Sequence, residues 1–136
     1  MSGVLIVTHG RLGEELIKAA ELIQGELPGV VSIAVDSRKS METLKKEITA
    51  AIKKADSGNG VLILTDLFGG TPSNISLSFL KQGKIEVVTG VNLPMLLKIT
   101  EGRNTGTLAD FSDCIKEYGK KNIRLASEIL SKKVDS

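Results

Sequence analysis

The chain has 136 residues, of which 41% are hydrophobic and 25% charged, which suits one domain with a buried core and is too short for two. Its 18 basic and 16 acidic residues are scattered and leave a net charge of only +2, which argues against a nucleic-acid-binding protein. A single cysteine, Cys114, excludes an internal disulfide and a structural zinc site built from cysteines.

The beginning of the sequence has no basic region followed by a cleavable apolar stretch. No segment approaches the roughly 18 consecutive apolar residues that a membrane span needs. We therefore expect a cytoplasmic protein. Aromatic residues make up only 3% of the chain, so the core is expected to consist of Val, Ile, Leu and Ala, as in a helix-covered parallel sheet.

Strand and helix patterns alternate through the first half of the chain. Short β-branched runs, typical of strands buried on both faces, occur at residues 3–8, 30–35 and 61–65. Apolar residues at helical spacing between the first two runs predict a helix from about Arg11 to Gly25. A second helix is predicted to have Ser40 as its N-cap and to end at the turn formed by residues 56–60.

The second half of the chain continues this alternation. A third helix is predicted to start at Thr71 and run to about Gly83, with Pro72 in the first helical position, where a missing N–H costs little. One strand and two further helices are predicted at residues 85–89, 95–102 and 108–118. Residues 122–126 are compatible with a final edge strand, and residues 131–136 form a polar tail.

Strands that alternate with helices of roughly 10–15 residues imply β-α-β crossovers and a mainly parallel sheet. We therefore predict an α/β fold: one three-layer domain over residues 1–130, with four strands, the optional fifth edge strand and helices on both faces. Open α/β sheets bind ligands where their strands end. Four strand ends carry polar or glycine-rich segments and are expected to share one end of the sheet, the rim: residues 8–10, 36–38, 65–71 and 89–94.

His9 is the only histidine and ends the first of these strands. A lone histidine in such a place is often a surface or packing residue. Its neighbours favour a function, because Gly10 allows a tight turn and the close approach of a ligand. The next helix is predicted to start at about Arg11, so its free N–H groups lie beside the imidazole and would meet an anion bound there.

Asp66 follows the third strand and either caps the next helix or acts on His9. Gly69 and Gly70 form a flexible concavity of phosphate size before the helix that starts at Thr71. A carboxylate that accepts a hydrogen bond from one imidazole nitrogen fixes the tautomer and makes the other nitrogen the nucleophile. The Thr71 hydroxyl is then either an N-cap or a donor to a phosphoryl oxygen.

The sequence resembles the IIA domain of the mannose-family sugar phosphotransferase system. Three segments carry the resemblance in the same order: residues 8–10 (THG), 65–74 (TDLFGGTPSN) and 90–96 (GVNLPML). The resemblance spans about residues 1–130. It implies a phosphotransferase that uses no cofactor or metal, accepts a phosphoryl group from the phosphocarrier HPr and passes it to a IIB domain during sugar uptake.

The resemblance also assigns roles to individual residues. It implies that His9 is phosphorylated and that Asp66 orients the ring. From the chemistry of the pair we expect Nε2 to carry the phosphoryl group while Asp66 holds Nδ1. Thr71 matches a Ser or Thr of the family that supports the phosphoryl group, and the glycines expected around it are Gly10, Gly69 and Gly70. Family members are commonly homodimers, some with an exchanged C-terminal edge strand that residues 122–126 match loosely. Association with membrane permease components is expected to be indirect.

Two alternatives stay open at the level of sequence. The phosphoryl donor subunit of a dihydroxyacetone kinase begins with a domain similar to this one. A flavodoxin-like module that binds a nucleotide or flavin without catalysis would share the α/β fold. The absence of tryptophan argues against a flavin module, and the single tyrosine, Tyr118, is predicted far from any strand end.

Overall fold

The computed structural model describes residues 1–104 and 106–135, in which strands and helices alternate as far as the fourth strand and three helices follow it. The strands are β1 (Gly3–His9), β2 (Val30–Val35), β3 (Val61–Thr65) and β4 (Ile85–Thr89). The helices are α1 (Leu12–Gln24), α2 (Met41–Ala55), α3 (Thr71–Leu77), α4 (Leu93–Gly102), α5 (Leu108–Lys121) and α6 (Ala126–Asp135). Within the described residues, no helix combines the length and the apolar character needed to cross a membrane.

The four strands form one sheet in the order β2-β1-β3-β4, and each neighbouring pair is parallel. The chain moves outward from β1 to β2, returns across β1 to β3 and continues to β4. The topological switch point therefore lies between β1 and β3. Because all four strands run in the same direction, their carboxyl ends meet at the rim. The predicted α/β class and the shared rim are confirmed.

Helices cover both faces of the sheet and create two apolar cores. α1, α4 and α5 pack on one face, in a core that includes Val4, Ile6, Leu62, Leu64, Leu96, Ile99, Phe111 and Ile115. α2 and α3 pack on the other face, in a core that includes Leu5, Val7, Leu44, Ile48, Ile63 and Ile75. The central strands bury side chains on both faces, which is why they appear in the sequence as continuous apolar runs.

The predicted strands agree with the structure to within one residue, and Ser40 caps α2 by accepting a hydrogen bond from the Thr43 N–H. The predicted length of the third helix is wrong, because α3 ends at Leu77 rather than near Gly83. The backbone groups of Lys81 and Ile85 exchange two hydrogen bonds, with N–O distances of 3.0 and 2.8 Å, so the chain turns here before it enters β4.

The optional edge strand at residues 122–126 is absent from the structure. Asn122 ends α5 and donates a side-chain hydrogen bond of 2.8 Å to the Tyr118 carbonyl, residues 123–125 are irregular, and Ala126 begins α6. A strand needs a neighbouring backbone to pair with, and no described segment of this chain lies beside 122–126 in that way. The predicted tail lies mostly within α6, except for residue 136, which is outside the described residues.

Candidate active site

The parallel pairing of β1 and β3 places His9 and Asp66 side by side at the rim. Val7 of β1 lies opposite Thr65, the last residue of β3. His9 then ends β1, and Asp66 is the first residue after β3. The imidazole Nδ1 lies 2.8 Å from the carboxylate Oδ2 of Asp66, which is hydrogen-bond distance. The predicted contact between these two residues is therefore present.

Asp66 is anchored by backbone groups as well as by the imidazole. Its Oδ2 also accepts the N–H of His9 at 2.9 Å, and its Oδ1 accepts the N–H of Leu67 at 3.0 Å. The side chain is only 8% exposed. Burial raises the pKa of Asp66, but the hydrogen bonds from the backbone and imidazole of His9 contribute to a larger opposing effect, so the pKa is lowered overall. Asp66 is therefore an anion at neutral pH.

The ionised carboxylate determines the tautomer of His9. An ionised Asp66 can only accept hydrogen bonds, so Nδ1 must carry the proton that lies between them. The neutral ring then has its lone pair on Nε2. The His9 side chain is 52% exposed, and Nε2 has no hydrogen-bond partner among the described residues. This arrangement can act as a nucleophile toward an electrophile that arrives from solvent.

Glycines leave room around the imidazole in two ways. Gly10 has φ +53°, a left-handed conformation that favours glycine, and its N–H donates to the Val35 carbonyl at 2.9 Å as the chain turns out of β1. Gly70 lies against the ring: a Cβ at this position would be 2.9 Å from Cε1 of His9. Gly69 is exposed, with φ +93°. Gly10 and Gly70 thus lie next to His9, and Gly69 directly precedes Gly70.

Thr71 is exposed at the start of α3, next to Gly70. The N-cap of α3 is Gly70, and Thr71 is the first helical residue, so the alternative that Thr71 is the N-cap is wrong. Its hydroxyl has no hydrogen-bond partner within the described part of the chain, which leaves it available to a ligand.

Thr8 has a role that the sequence analysis missed. Its hydroxyl oxygen accepts the N–H of Gly13 at 2.8 Å, and the side chain is 1% exposed. Gly13 packs closely on β1, since a Cβ there would lie 3.0 Å from the Ile6 side chain. Thr8 therefore holds the first turn of α1 against β1, beside His9. A hydroxyl directly before the histidine and a glycine five residues later are the sequence signals of this contact.

In the described part of the chain, the other two segments of the rim make no hydrogen bond or ion pair with His9 or Asp66. The Arg38 side chain is 89% exposed and lies 3.6 Å from the carboxylate of its neighbour Asp36. Asn92 is the N-cap of α4, accepts the N–H of Met95 at 3.2 Å and donates to the Gly119 carbonyl at 3.1 Å. Asn92 thus orients two helices. Over the described residues, no group of three His, Cys, Asp or Glu side chains could hold a metal ion.

The sequence comparisons identify the family of the chain. The family described as "PTS system fructose IIA component" matches residues 3–116. The chain is 30% identical to the fructose-specific EIIA component of the PTS from Bacillus subtilis (strain 168) over 133 residues, which cover 97% of this chain and 91% of that protein. It is 37% identical over 102 residues to the mannose-specific EIIAB component of Escherichia coli (strain K12), covering 74% of this chain. The match covers only 32% of that longer relative.

Solved structures give the same result for the fold. The phosphotransferase system component EIIA from Streptococcus agalactiae superposes with a TM-score of 0.84 at 28% identity, covering 94% of this chain and 99% of that one. A mannose/sorbose-specific IIA subunit from Enterococcus faecalis has the same fold, with a TM-score of 0.80 at 24% identity and 91% and 93% coverage. The chain therefore belongs to the mannose-family IIA components of the sugar phosphotransferase system, the mannose/fructose/sorbose type.

Replacing Asp66 tests the anchored carboxylate through the pH dependence of stability. A carboxyl with a lowered pKa in the folded state stabilises the fold above its unfolded pKa, near 3.8, and loses that contribution as the pH falls through the folded pKa. We expect Asp66→Asn to lower the free energy of unfolding by about 1–3 kcal/mol at pH 7. The difference in unfolding free energy between the wild type and Asp66→Asn should shrink below pH ~4. Urea unfolding at a series of pH values measures it.

Asp113→Asn is the matched control, because Asp113 is 68% exposed and pairs with Lys116 on the surface of α5. This variant should differ from the wild type by less than about 0.5 kcal/mol at every pH. A loss in Asp66→Asn that stays constant from pH 7 to pH 2.5 would contradict the pKa argument.

Proposed function

We propose that this IIA component is a cytoplasmic phosphoryl carrier that takes a phosphoryl group from HPr on Nε2 of His9 and passes it to a IIB component for sugar uptake. The observation that carries the proposal is the contact of 2.8 Å between His9 Nδ1 and the buried Asp66, with Nε2 exposed at the rim. A nucleophile that must meet two protein partners in turn has to be both oriented and accessible.

The transfer follows from the protonation states of the pair. The Nε2 lone pair attacks phosphorus as the bond from phosphorus to the donor breaks, and the donor keeps that electron pair. Nδ1 keeps its proton, so the phosphorylated ring becomes cationic. The anionic Asp66, hydrogen-bonded to Nδ1, stabilises that charge, as a carboxylate does behind a catalytic imidazole. Transfer to the IIB component reverses these steps and returns the electron pair to Nε2.

Exposed groups near His9 support a docking surface and a phosphoryl cradle. Leu67 and Phe68 are 51% and 73% exposed, beside the carboxylate that holds His9, and they provide apolar area for a partner protein. Gly10, Gly69, Gly70 and the Thr71 hydroxyl are proposed to surround the phosphoryl oxygens. The similarity to a fructose-specific EIIA component and to a mannose-specific EIIAB component supports a IIB protein as the acceptor.

Phosphorylation of His9 is the first prediction from this proposal. Incubation with phosphoenolpyruvate, enzyme I and HPr should add one acid-labile phosphoryl group to the chain, because the phosphoramidate bond hydrolyses readily in acid. Intact-mass spectrometry measures the addition. His9→Ala should remain unmodified, and full labelling of that variant would refute the site.

The acceptor is tested with the labelled protein. Chase with the IIB component encoded by the same organism should remove the phosphoryl group within the mixing time of the experiment. Chase with the dihydroxyacetone kinase subunits should leave it in place. The opposite pattern would assign the chain to the kinase and would contradict sugar uptake.

The Thr71 hydroxyl is proposed to donate to a phosphoryl oxygen. Thr71→Val removes the donor while keeping the shape of the side chain. It should slow phosphorylation of His9 by HPr about tenfold to a hundredfold, because one hydrogen bond to a charged group stabilises the transition state by that factor. Thr71→Ser keeps the hydroxyl and should stay within about threefold of the wild type. Quench-flow labelling measures both rates, and equal rates for Val and Ser would exclude this role.

We also propose that two copies of this chain associate through the C-terminal segment, residues 122–131. Ile123, Leu125 and Leu130 are 76%, 62% and 61% exposed. β4 is an edge strand: β3 lies on one side of it, and on the other side the described residues contribute only the bridge between Lys81 and Ile85. Exposed apolar side chains and an open strand edge are both features of a surface that a second copy covers.

Charge substitutions test this association. Leu125→Lys combined with Leu130→Lys should convert a dimer into a monomer of 14.5 kDa, because burying two lysines in an apolar interface is unfavourable. Sedimentation velocity measures the mass. Leu22→Lys is the control: Leu22 is 89% exposed on α1, so the variant should remain dimeric. A wild-type protein that sediments as a monomer would contradict the proposal.

A further inference from the structure

Arg103 is a buried cation without a counter-charge among the described residues. It follows α4 and is only 7% exposed. Its Nε donates to the Ser2 carbonyl at 3.2 Å and its Nη1 to the Pro28 carbonyl at 2.8 Å, and both acceptors are neutral. Burial lowers the pKa of Arg103, although a guanidinium stays charged at neutral pH. A buried charge that meets only carbonyls is an unusual and costly arrangement.

The third nitrogen of this guanidinium, Nη2, lies beside an open groove. Gly29 is its neighbour: a Cβ on Gly29 would be 3.5 Å from Nη2, and Nη2 has no hydrogen-bond partner in the described part of the chain. The groove has a volume of about 290 Å³ and lies at the end of the sheet opposite His9. Its lining includes Met1, Gly29, Val31, Ala51, Lys54 and Arg103.

The lining indicates the chemistry of a ligand. The charged side chains of the groove are Lys54 and Arg103, both cationic, and most of the remaining surface is apolar. A phosphate dianion needs many donors around its oxygens, which a largely apolar groove with one buried guanidinium and one exposed lysine does not supply. A carboxylate needs one or two donors, and an alkyl chain would cover Val31 and Ala51. The volume is at the lower end for ligand pockets, which suits about six carbon atoms or fewer.

We propose that this groove binds a small aliphatic monocarboxylate, with the carboxylate on Arg103 and Lys54 and the alkyl chain along Val31 and Ala51. The site is far from His9 and uses none of the residues of the proposed phosphoryl relay. The buried guanidinium of Arg103 and the apolar wall together distinguish this groove from a surface patch of lysines, in which every cation is solvated.

The probe for this proposal is hexanoate, titrated into the unphosphorylated protein and followed by amide chemical shifts. Saturable shifts are expected at Gly29, Val31, Ala51 and Lys54. Hexan-1-ol has the same chain length without the charge and should bind at least tenfold more weakly. Inorganic phosphate should not shift these amides. Equal affinity for hexanol, or competition by phosphate at the same amides, would overturn the assignment.

Three variants separate the groove from general surface binding. Val31→Phe places a larger side chain in the groove at a position that is 45% exposed, and should abolish the hexanoate shifts. Lys54→Gln should weaken binding severalfold. Lys53 is the adjacent exposed lysine and does not line this groove, so Lys53→Gln should not weaken hexanoate binding. Unchanged amide shifts elsewhere verify folding. Retained binding in Val31→Phe, or equal weakening by the two lysine variants, would refute the proposal, and neither result bears on phosphorylation of His9.

Discussion

The parallel pairing of β1 with β3 is the constraint on which the site depends. Val7 and Thr65 are partners in this pairing, so the residues that follow them leave the sheet side by side. His9 and Asp66 are 57 positions apart in the sequence, and no local interaction would bring them within hydrogen-bond distance. Helices on both faces stabilise the pairing, because a parallel sheet requires burial of both faces.

In the pair, Asp66 provides the fixed orientation and His9 provides the exposed nitrogen. Asp66 is buried, and backbone N–H groups bind its carboxylate, so the side chain is held in one conformation. His9 keeps half of its side chain exposed and takes its orientation from Asp66. Gly70 completes the arrangement, since any larger residue would collide with the ring. A rigid carboxylate behind the imidazole leaves Nε2 fixed in direction and open to solvent.

Most of the secondary structure could be predicted because it depends on local patterns. Continuous β-branched runs mark the buried strands, and Ser40 marks a helix start through a contact three residues away. The end of α3 and the conformation of residues 122–126 could not be predicted in this way. Alternating Ile123 and Leu125 are compatible with a strand or with the approach to a helix, and only a neighbouring backbone decides between them.

The sequence by itself determined the order of the elements, the parallel α/β class and the residue types at the rim, since these follow from periodicity and from what interrupts it. It did not determine that Asp66 binds the backbone of His9, that Gly70 touches the imidazole or that Thr8 holds the start of α1. Those contacts join segments that are distant in the chain or depend on how a helix packs on its strand. Only the tertiary structure decided them, because hydrogen bonds of about 3 Å require the register of the sheet and the packing of the helices to be settled first.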